Sequence, residues 1–143
     1  MLYLDTSVLI ALVTAEPRSA RVRAWAEGVP DVFATSDWAV TEAASALSIK
    51  QRSGHVTEVE RSVADRALAR FIDENVEVLG VHRADFRVAA RLSARPAPPL
   101  RAADALHLAV AARHGAVVHT LDDQQAAGAL AHGIDAVIPV PRA

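Results

Sequence analysis

The chain of 143 residues contains no cysteine, which excludes a disulfide framework, a thiolate metal site and a thiol nucleophile. Aromatic residues make up only 4% of it, and its six glycines form neither G-x-G-x-x-G nor a phosphate-binding P-loop. No serine lies in G-x-S-x-G, and no two histidines fall three or four residues apart, so serine-hydrolase and helix-borne zinc patterns are both missing. The longest apolar run, Val8 to Val13, is six residues, against the roughly 18 that a membrane helix needs. That run has no basic leader and follows Asp5, so no secretory signal is expected and a cytoplasmic location is.

What is present describes one soluble, well-packed domain over residues 1–143, with 52% hydrophobic and 22% charged residues. The formal net charge of -2 argues at first against a phosphate-bearing partner. An average, however, says nothing of distribution. Between Arg83 and Arg101 stand five arginines against one acid, Asp85, so a balanced total can hide a polarised surface.

Apolar triplets and helical spacings alternate along the chain. Leu2 to Leu4 reads as a strand ending at Asp5, and Thr6 to Thr14 as a helix with Thr6 or Ser7 as its cap. A second helix begins near Pro17, carries Val22, Trp25 and Ala26 at helical spacing and stops at Gly28. Val32 to Thr35 is β-branched and aromatic, which predicts the second strand. Ser36 or Asp37 caps a helix that holds Glu42 and Lys50, and Gly54 closes it. Thr57 and Glu60 have capping-box spacing, predicting a long helix to about Glu74, followed by a strand at Val76 to Leu79. Helices follow at His82 to about Ala94 and, past Pro96, Pro98 and Pro99, at Ala102 to His114, where Gly115 stops the second. The last units are a strand at Ala116 to Thr120, a helix at Asp123 to His132 and a strand at Ala136 to Val140. This alternation predicts an α/β fold of three layers, a mostly parallel five-stranded sheet flanked by helices.

Four acids fall at related places on these elements. Asp5 ends the first strand and Asp122 the fourth, and in an open parallel sheet sites form at the carboxyl ends of strands. A helix of ten residues spans about 15 Å and a strand of five about 16 Å, so the helix that opens near Asp104 returns to bring Asp104 level with Asp122. Glu42, early in a helix that follows a strand, starts at the same edge. Four carboxylates in one place repel each other, which raises their pKa values or requires a compensating cation, and an all-oxygen set suits Mg²⁺ or Mn²⁺. Such an ion activates water and stabilises the charge that develops on a phosphodiester. Acids at helix starts are also ordinary caps, so position alone leaves capping and catalysis both open.

The segments LDTSVLIAL (Leu4 to Leu12), TEAASAL (Thr41 to Leu47), RAADALHLAVA (Arg101 to Ala111) and HTLDD (His119 to Asp123) resemble, in order and spacing, the PIN-domain family. They are most similar to its small bacterial members, the VapC-type toxins of toxin–antitoxin pairs. The resemblance implies a Mg²⁺- or Mn²⁺-dependent endoribonuclease that inhibits translation and growth, and it implies Asp5, Glu42, Asp104 and Asp122 as the catalytic, metal-holding acids. Asp5 and Asp104 would be the main ligands. Asp123 is the alternative fourth acid, with Asp122 preferred for its two-residue spacing from Thr120. Thr6 and Thr120 match small hydroxyl positions that support the acids or the attacking water. Hydrolysis would leave a 5′-phosphate and a 3′-hydroxyl. The implied partners are an RNA substrate, a short VapB-like antitoxin that covers or enters the acidic site, and a second copy in a homodimer. A PIN-type nuclease of RNA processing and a non-catalytic binding module with structural acids are the other readings. A haloacid-dehalogenase-type phosphatase would need an acid where Ser7 stands.

Three further features remain. Arg83, Arg87, Arg91 and Arg95 lie four apart along one side of a helix, suiting RNA phosphates, an acidic partner or plain solvation. Arg101, beside Asp104, is the arginine best placed for the scissile region. His107, one turn after Asp104, could orient that acid or simply pack in an Ala- and Leu-rich helix. Trp25, Trp38, Leu9, Leu12, Leu47 and Leu108 read as core or interface residues.

Overall fold

A computed structural model describes residues 1–139. The elements run β1 (Leu2–Leu4), α1 (Thr6–Val13), α2 (Ser19–Glu27), β2 (Phe33–Ser36), α3 (Asp37–Arg52), α4 (Glu58–Asn75), β3 (Val76–Leu79), α5 (Arg83–Ser93), α6 (Ala102–Arg113), β4 (Val117–His119), α7 (Asp123–Ala131) and β5 (Ala136–Val137). Every expected element is present, with ends shifted by a residue or two. The last strand stops at Val137, and its expected end, Val140, lies outside the described residues. All four strand pairings are parallel, so the sheet is wholly rather than mostly parallel among the described strands.

The strand order is β3-β2-β1-β4-β5. The chain therefore leaves β1 toward β2 and β3 on one side, then crosses back to lay β4 on the other. Connections diverge at β1 and β4, and the crevice they leave at the carboxyl ends of these strands is where doubly wound sheets hold their sites. The crossover is made by α5 and α6.

Strand alternation sorts the core into two layers. Leu4 and Phe33 face one side with Val8, Leu9, Val22, Trp25, Leu47 and Leu68 from α1 to α4. Tyr3 and Ala34 face the other with Ala89, Leu106, Leu108, Val110 and Ala129 from α5 to α7. Helix α6 is buried continuously from Ala105 to Ala111, which explains why it is Ala- and Leu-rich with little polarity on any side. Trp25 lies in the core, its ring stacked on that of His119 at a centroid distance of 5.0 Å. Among the described residues, no helix is long and apolar enough to cross a membrane.

Two contacts aim α6 at the crevice. Arg113, at its end, donates through Nε to Asp85 Oδ1 at 2.8 Å, through Nη2 to Asp85 Oδ2 at 3.0 Å, and to the carbonyl of Gly80 at 2.7 Å. Asp85 is in the first turn of α5, so the start of α5 is tied to the end of α6 and the two helices run antiparallel. Ahead of α6, Leu100 seats on Gly128 of α7, where an added Cβ would lie 2.4 Å from Leu100 Cδ2 and 2.8 Å from its Cγ. A glycine inside a helix is otherwise a cost; here it lets the turn before α6 close onto α7.

Two stability predictions follow from these contacts. Gly128→Ala gains helix propensity but must displace Leu100, for a net loss of about 1–2 kcal/mol in urea unfolding. Burial pushes the Asp85 carboxyl up, but Arg113 and the backbone N–H of His82 outweigh it and hold it below the usual carboxylate range. A depressed folded value means that the pair's stabilisation is complete above the unfolded value near 4 and fades as pH falls through the folded one. Asp85→Asn should therefore cost about 3 kcal/mol at pH 7 and markedly less at pH 3, read from unfolding curves at the two pH values.

Candidate active site at the carboxyl edge of the sheet

Asp5 follows β1 directly and is 4% exposed. It caps α1: its Oδ1 accepts from the backbone N–H of Val8 at 3.1 Å and from Ser7 Oγ at 2.6 Å. Asp5 itself, not Thr6 or Ser7, is thus the cap, because the carboxylate reaches the free N–H groups of the first turn from outside the helix. Oδ2 accepts from Thr120 Oγ1, just beyond β4, at 2.7 Å. Ser7 Oγ also accepts from the backbone N–H of Leu121 at 2.8 Å, so the turn after β1 is stitched to the turn after β4 twice. Burial raises the Asp5 carboxyl above its ordinary value, opposed by His107 and by the Ser7, Thr120 and Val8 donors.

Glu42 projects from the second turn of α3. Its Oε2 accepts from Thr6 Oγ1 at 2.7 Å and lies 2.5 Å from His107 Nε2. Burial pushes Glu42 up, but the hydrogen bonds from His107 and Thr6, with the positive charge of Arg101 helping, bring it below the usual range. His107 is 2% exposed, and its Nδ1 lies 2.8 Å from the hydroxyl of Tyr3, which in turn lies 2.7 Å from Ser36 Oγ. The ring therefore serves Glu42 and Tyr3 and makes no bond to Asp104. One helical turn carries the His107 ring past Asp104 toward the sheet, where its neighbours come from β1, α1 and α3.

Asp104 sits in the first turn of α6, and Asp122 caps α7, its Oδ1 accepting from the N–H groups of Gln124 at 2.8 Å and Gln125 at 3.1 Å. Arg101 joins them, donating to Asp104 Oδ2 at 3.0 Å and to Asp122 Oδ2 at 3.1 Å. Its side chain is 77% exposed, and its affinity for the proton is raised chiefly by the bond to Asp104. Asp5, Thr6, Glu42, Arg101, Asp104 and Asp122 line one open cavity of about 570 Å³. Thr120 lies buried beneath it. Asp123, the alternative fourth acid, is exposed on α7 and does not line this cavity.

Two contributors are not evident from the sequence. Gln125 is 1% exposed, lines the cavity and places its Oε1 2.7 Å from Thr120 Oγ1, while its Nε2 has no partner among the described residues. Its position one turn after Asp122 was the available signal. Tyr3 is the second; nothing in a strand tripeptide marks one hydroxyl as the anchor of a histidine 104 residues away.

A metal or cofactor at this cavity must match its donors. The carboxylates offer only oxygen, and Asp5, nearly buried, is held by neutral donors, with no cation among the described residues in hydrogen-bond contact. That chemistry fits a hard divalent ion. Among the described residues, no three acidic or histidine side chains already stand close enough together to hold an ion, and Arg101 supplies the positive charge between Asp104 and Asp122.

The fold and this cavity define a class, that of wholly parallel α/β proteins with an acidic site at the sheet's switch point. The PIN domain family model matches residues 2–130, and the chain belongs to that family. No curated protein matches the chain by sequence. Among solved structures, the chain is similar to the Mycobacterium tuberculosis toxin VapC20, at 23% identity over 90% of this chain and 95% of that one, with a TM-score of 0.70. It is similar to PAE2754 from Pyrobaculum aerophilum at 26% identity, over 96% of this chain and 84% of that one, with a TM-score of 0.66. It is also similar to VapBC-5 of the VapBC toxin–antitoxin family from Mycobacterium tuberculosis at 26% identity, over 99% and 98% of the two chains, with a TM-score of 0.61.

Removing the Tyr3 hydroxyl tests the buried chain beneath the site. Tyr3→Phe leaves Ser36 Oγ and His107 Nδ1 without that partner and should lower stability by about 2 kcal/mol in chemical denaturation.

Proposed function

We propose that this PIN domain, acting as one nuclease unit over residues 1–143, is a metal-dependent endoribonuclease and the toxin of a toxin–antitoxin pair. The observation that carries the reading is the placing of Asp5, Glu42, Asp104 and Asp122, from four separate segments, around one cavity at the switch point. Two of the similar proteins support the biological role: VapC20 is a toxin that cleaves the sarcin–ricin loop, and VapBC-5 belongs to a toxin–antitoxin system.

Asp5 and Asp104 would be the main holders of Mg²⁺ or Mn²⁺, with Glu42 and Asp122 completing the acidic set. When bound, the ion supplies activation of water and relief of the charge building on the phosphodiester. The chain's own groups do the positioning. Thr120 and Ser7 hold the Asp5 carboxylate from two sides, and Thr6 and His107 hold Glu42 by a single oxygen, with no partner on the other among the described residues. Arg101, exposed at the rim, is free to exchange its bond with Asp122 or Asp104 for one to a substrate phosphate. Neither serine nor histidine is needed as a nucleophile, and the products carry a 5′-phosphate and a 3′-hydroxyl. A short antitoxin that covers the acidic cavity would silence the enzyme, and a homodimer is the assembly proposed, in the cytoplasm.

The capping bonds of Asp5 and Asp122 favour one competing reading, in which the acids only terminate helices in a binding module. The two differ in the test tube. Purified protein should cut RNA with Mg²⁺ or Mn²⁺, stop when chelator is added, and lose about 100-fold or more of its rate in Asp5→Asn and Asp104→Asn. Equal behaviour of the folded wild type and both variants across a broad RNA set would remove the catalytic reading. For the toxin role, expression alone should arrest growth, and co-expression of an adjacent small reading frame should restore it; harmless expression would count against it.

A further inference from the structure

Helix α5 presents a face for which the site just described has no use. Arg83, Arg87 and Arg91 advance around it by about 40° per step, and Arg95 follows just beyond its end. All four are exposed. Among the described residues none of them forms an ion pair or a side-chain hydrogen bond, whereas on α4 Arg61 is paired with Asp65 and Arg70 with Glu74 one turn on. Helix α4 is thus an ordinary solvated surface of mixed sign. Helix α5 is not: its one acid, Asp85, is 1% exposed on the opposite side and taken up by Arg113.

Phe86, one turn after Arg83 and about 60° around the helix from it, flanks this row on the exposed side of α5 and is 56% exposed. Because α5 runs antiparallel to α6, its later residues Arg91 and Arg95 lie at the end where Asp104 opens α6. The row of guanidiniums therefore leads toward the acidic cavity. Successive arginines rise by about 6 Å along the axis, a spacing of the order of one nucleotide step in an extended strand. Guanidiniums suit phosphate oxygens, and an exposed phenyl ring offers a stacking surface to any base. Two copies meeting through this face would set like charges against each other, which disfavours a symmetric self-contact.

We propose that this face of α5 is the track that holds the RNA strand beside the acidic cavity, with Arg83, Arg87 and Arg91 on the phosphates and Phe86 stacked on a base. The assignment rests on the nuclease reading and adds to it the surface that gives the domain its grip on substrate. The polarity that the net charge conceals is then functional: acids take the reacting phosphate's metal, and α5 takes the flanking phosphates.

The test measures RNA binding in metal-free buffer with chelator, where no cutting occurs, by anisotropy of a labelled single strand over a salt series. The variants are R83Q/R87Q/R91Q together and F86A alone, both remote from the acids and both checked for unchanged melting temperature. For the triple variant, three lost contacts at about 0.7 each lower the slope of log K against log salt by roughly 2, and affinity at low salt falls at least about tenfold. F86A weakens binding severalfold and leaves the slope as it was. With Mg²⁺ or Mn²⁺ restored, the triple variant shows a raised KM and an unchanged kcat. Binding and slope equal to wild type overturn the proposal. So does a triple variant that keeps its RNA affinity but loses self-association or binding to an acidic protein partner, since the face would then be a protein interface. A wild type that neither binds nor cuts RNA defeats the nuclease reading itself, whereas a wild type that cuts RNA beside a triple variant that binds equally well defeats only the assignment to α5.

Discussion

The arrangement of the site depends on one nearly buried carboxylate. Asp5 ends β1, caps α1 and is held by Ser7 on its own turn and by Thr120 on the turn after β4. These bonds are possible because β1 and β4 are neighbours, paired from Leu2↔Val117 to Leu4↔His119. Moving β4 elsewhere in the sheet would leave a desolvated carboxylate without donors, a costly state. The same bonds that make Asp5 structural also orient it, so its capping is compatible with the role proposed for it. A cap fixes the carboxylate to within a hydrogen bond's tolerance, which is what an ion ligand requires.

A second layer of support reaches the site from the opposite face of the sheet. Tyr3 points away from Leu4 and into the layer of α5 to α7, where its hydroxyl meets His107, and the other nitrogen of that ring returns to Glu42. Glu42 is thereby positioned by β1 through a histidine of α6, though it belongs to α3. Arg113 with Asp85 and Leu100 with Gly128 set the angle of α6 at its two ends, and hence the place of Asp104. The Arg101 bridge then ties α6 to α7 across the cavity mouth.

Charge is distributed on the same plan. A total of -2 conceals acids gathered at one cavity and arginines set along α5 without partners among the described residues. Not every arginine in that part of the chain is free; Arg113 is spent on a nearly buried ion pair that holds the helices together. Position in the fold, rather than count, separates structural from available charge.

The strands, the helices and the parallel sheet were legible in the sequence because period-two and period-3.6 patterns, caps and glycine stops are local signals. The four acids were legible as a set because strand ends and helix starts share one edge of a parallel sheet, which is a rule of topology. Which hydroxyl serves which acid was not. The sequence leads one to expect His107 to pack or to serve Asp104, three residues earlier on the same helix, yet its partners are Tyr3, Thr6 and Glu42, at separations of 104, 101 and 65 residues. Gln125 and Tyr3 joined the site only when α7 and β1 were placed in space. By itself, then, the sequence determined the elements, their layering and the edge at which the acids collect. The tertiary structure decided the pairings within that edge, because a hydrogen bond depends on distances of a few tenths of an ångström between atoms that no local pattern brings together.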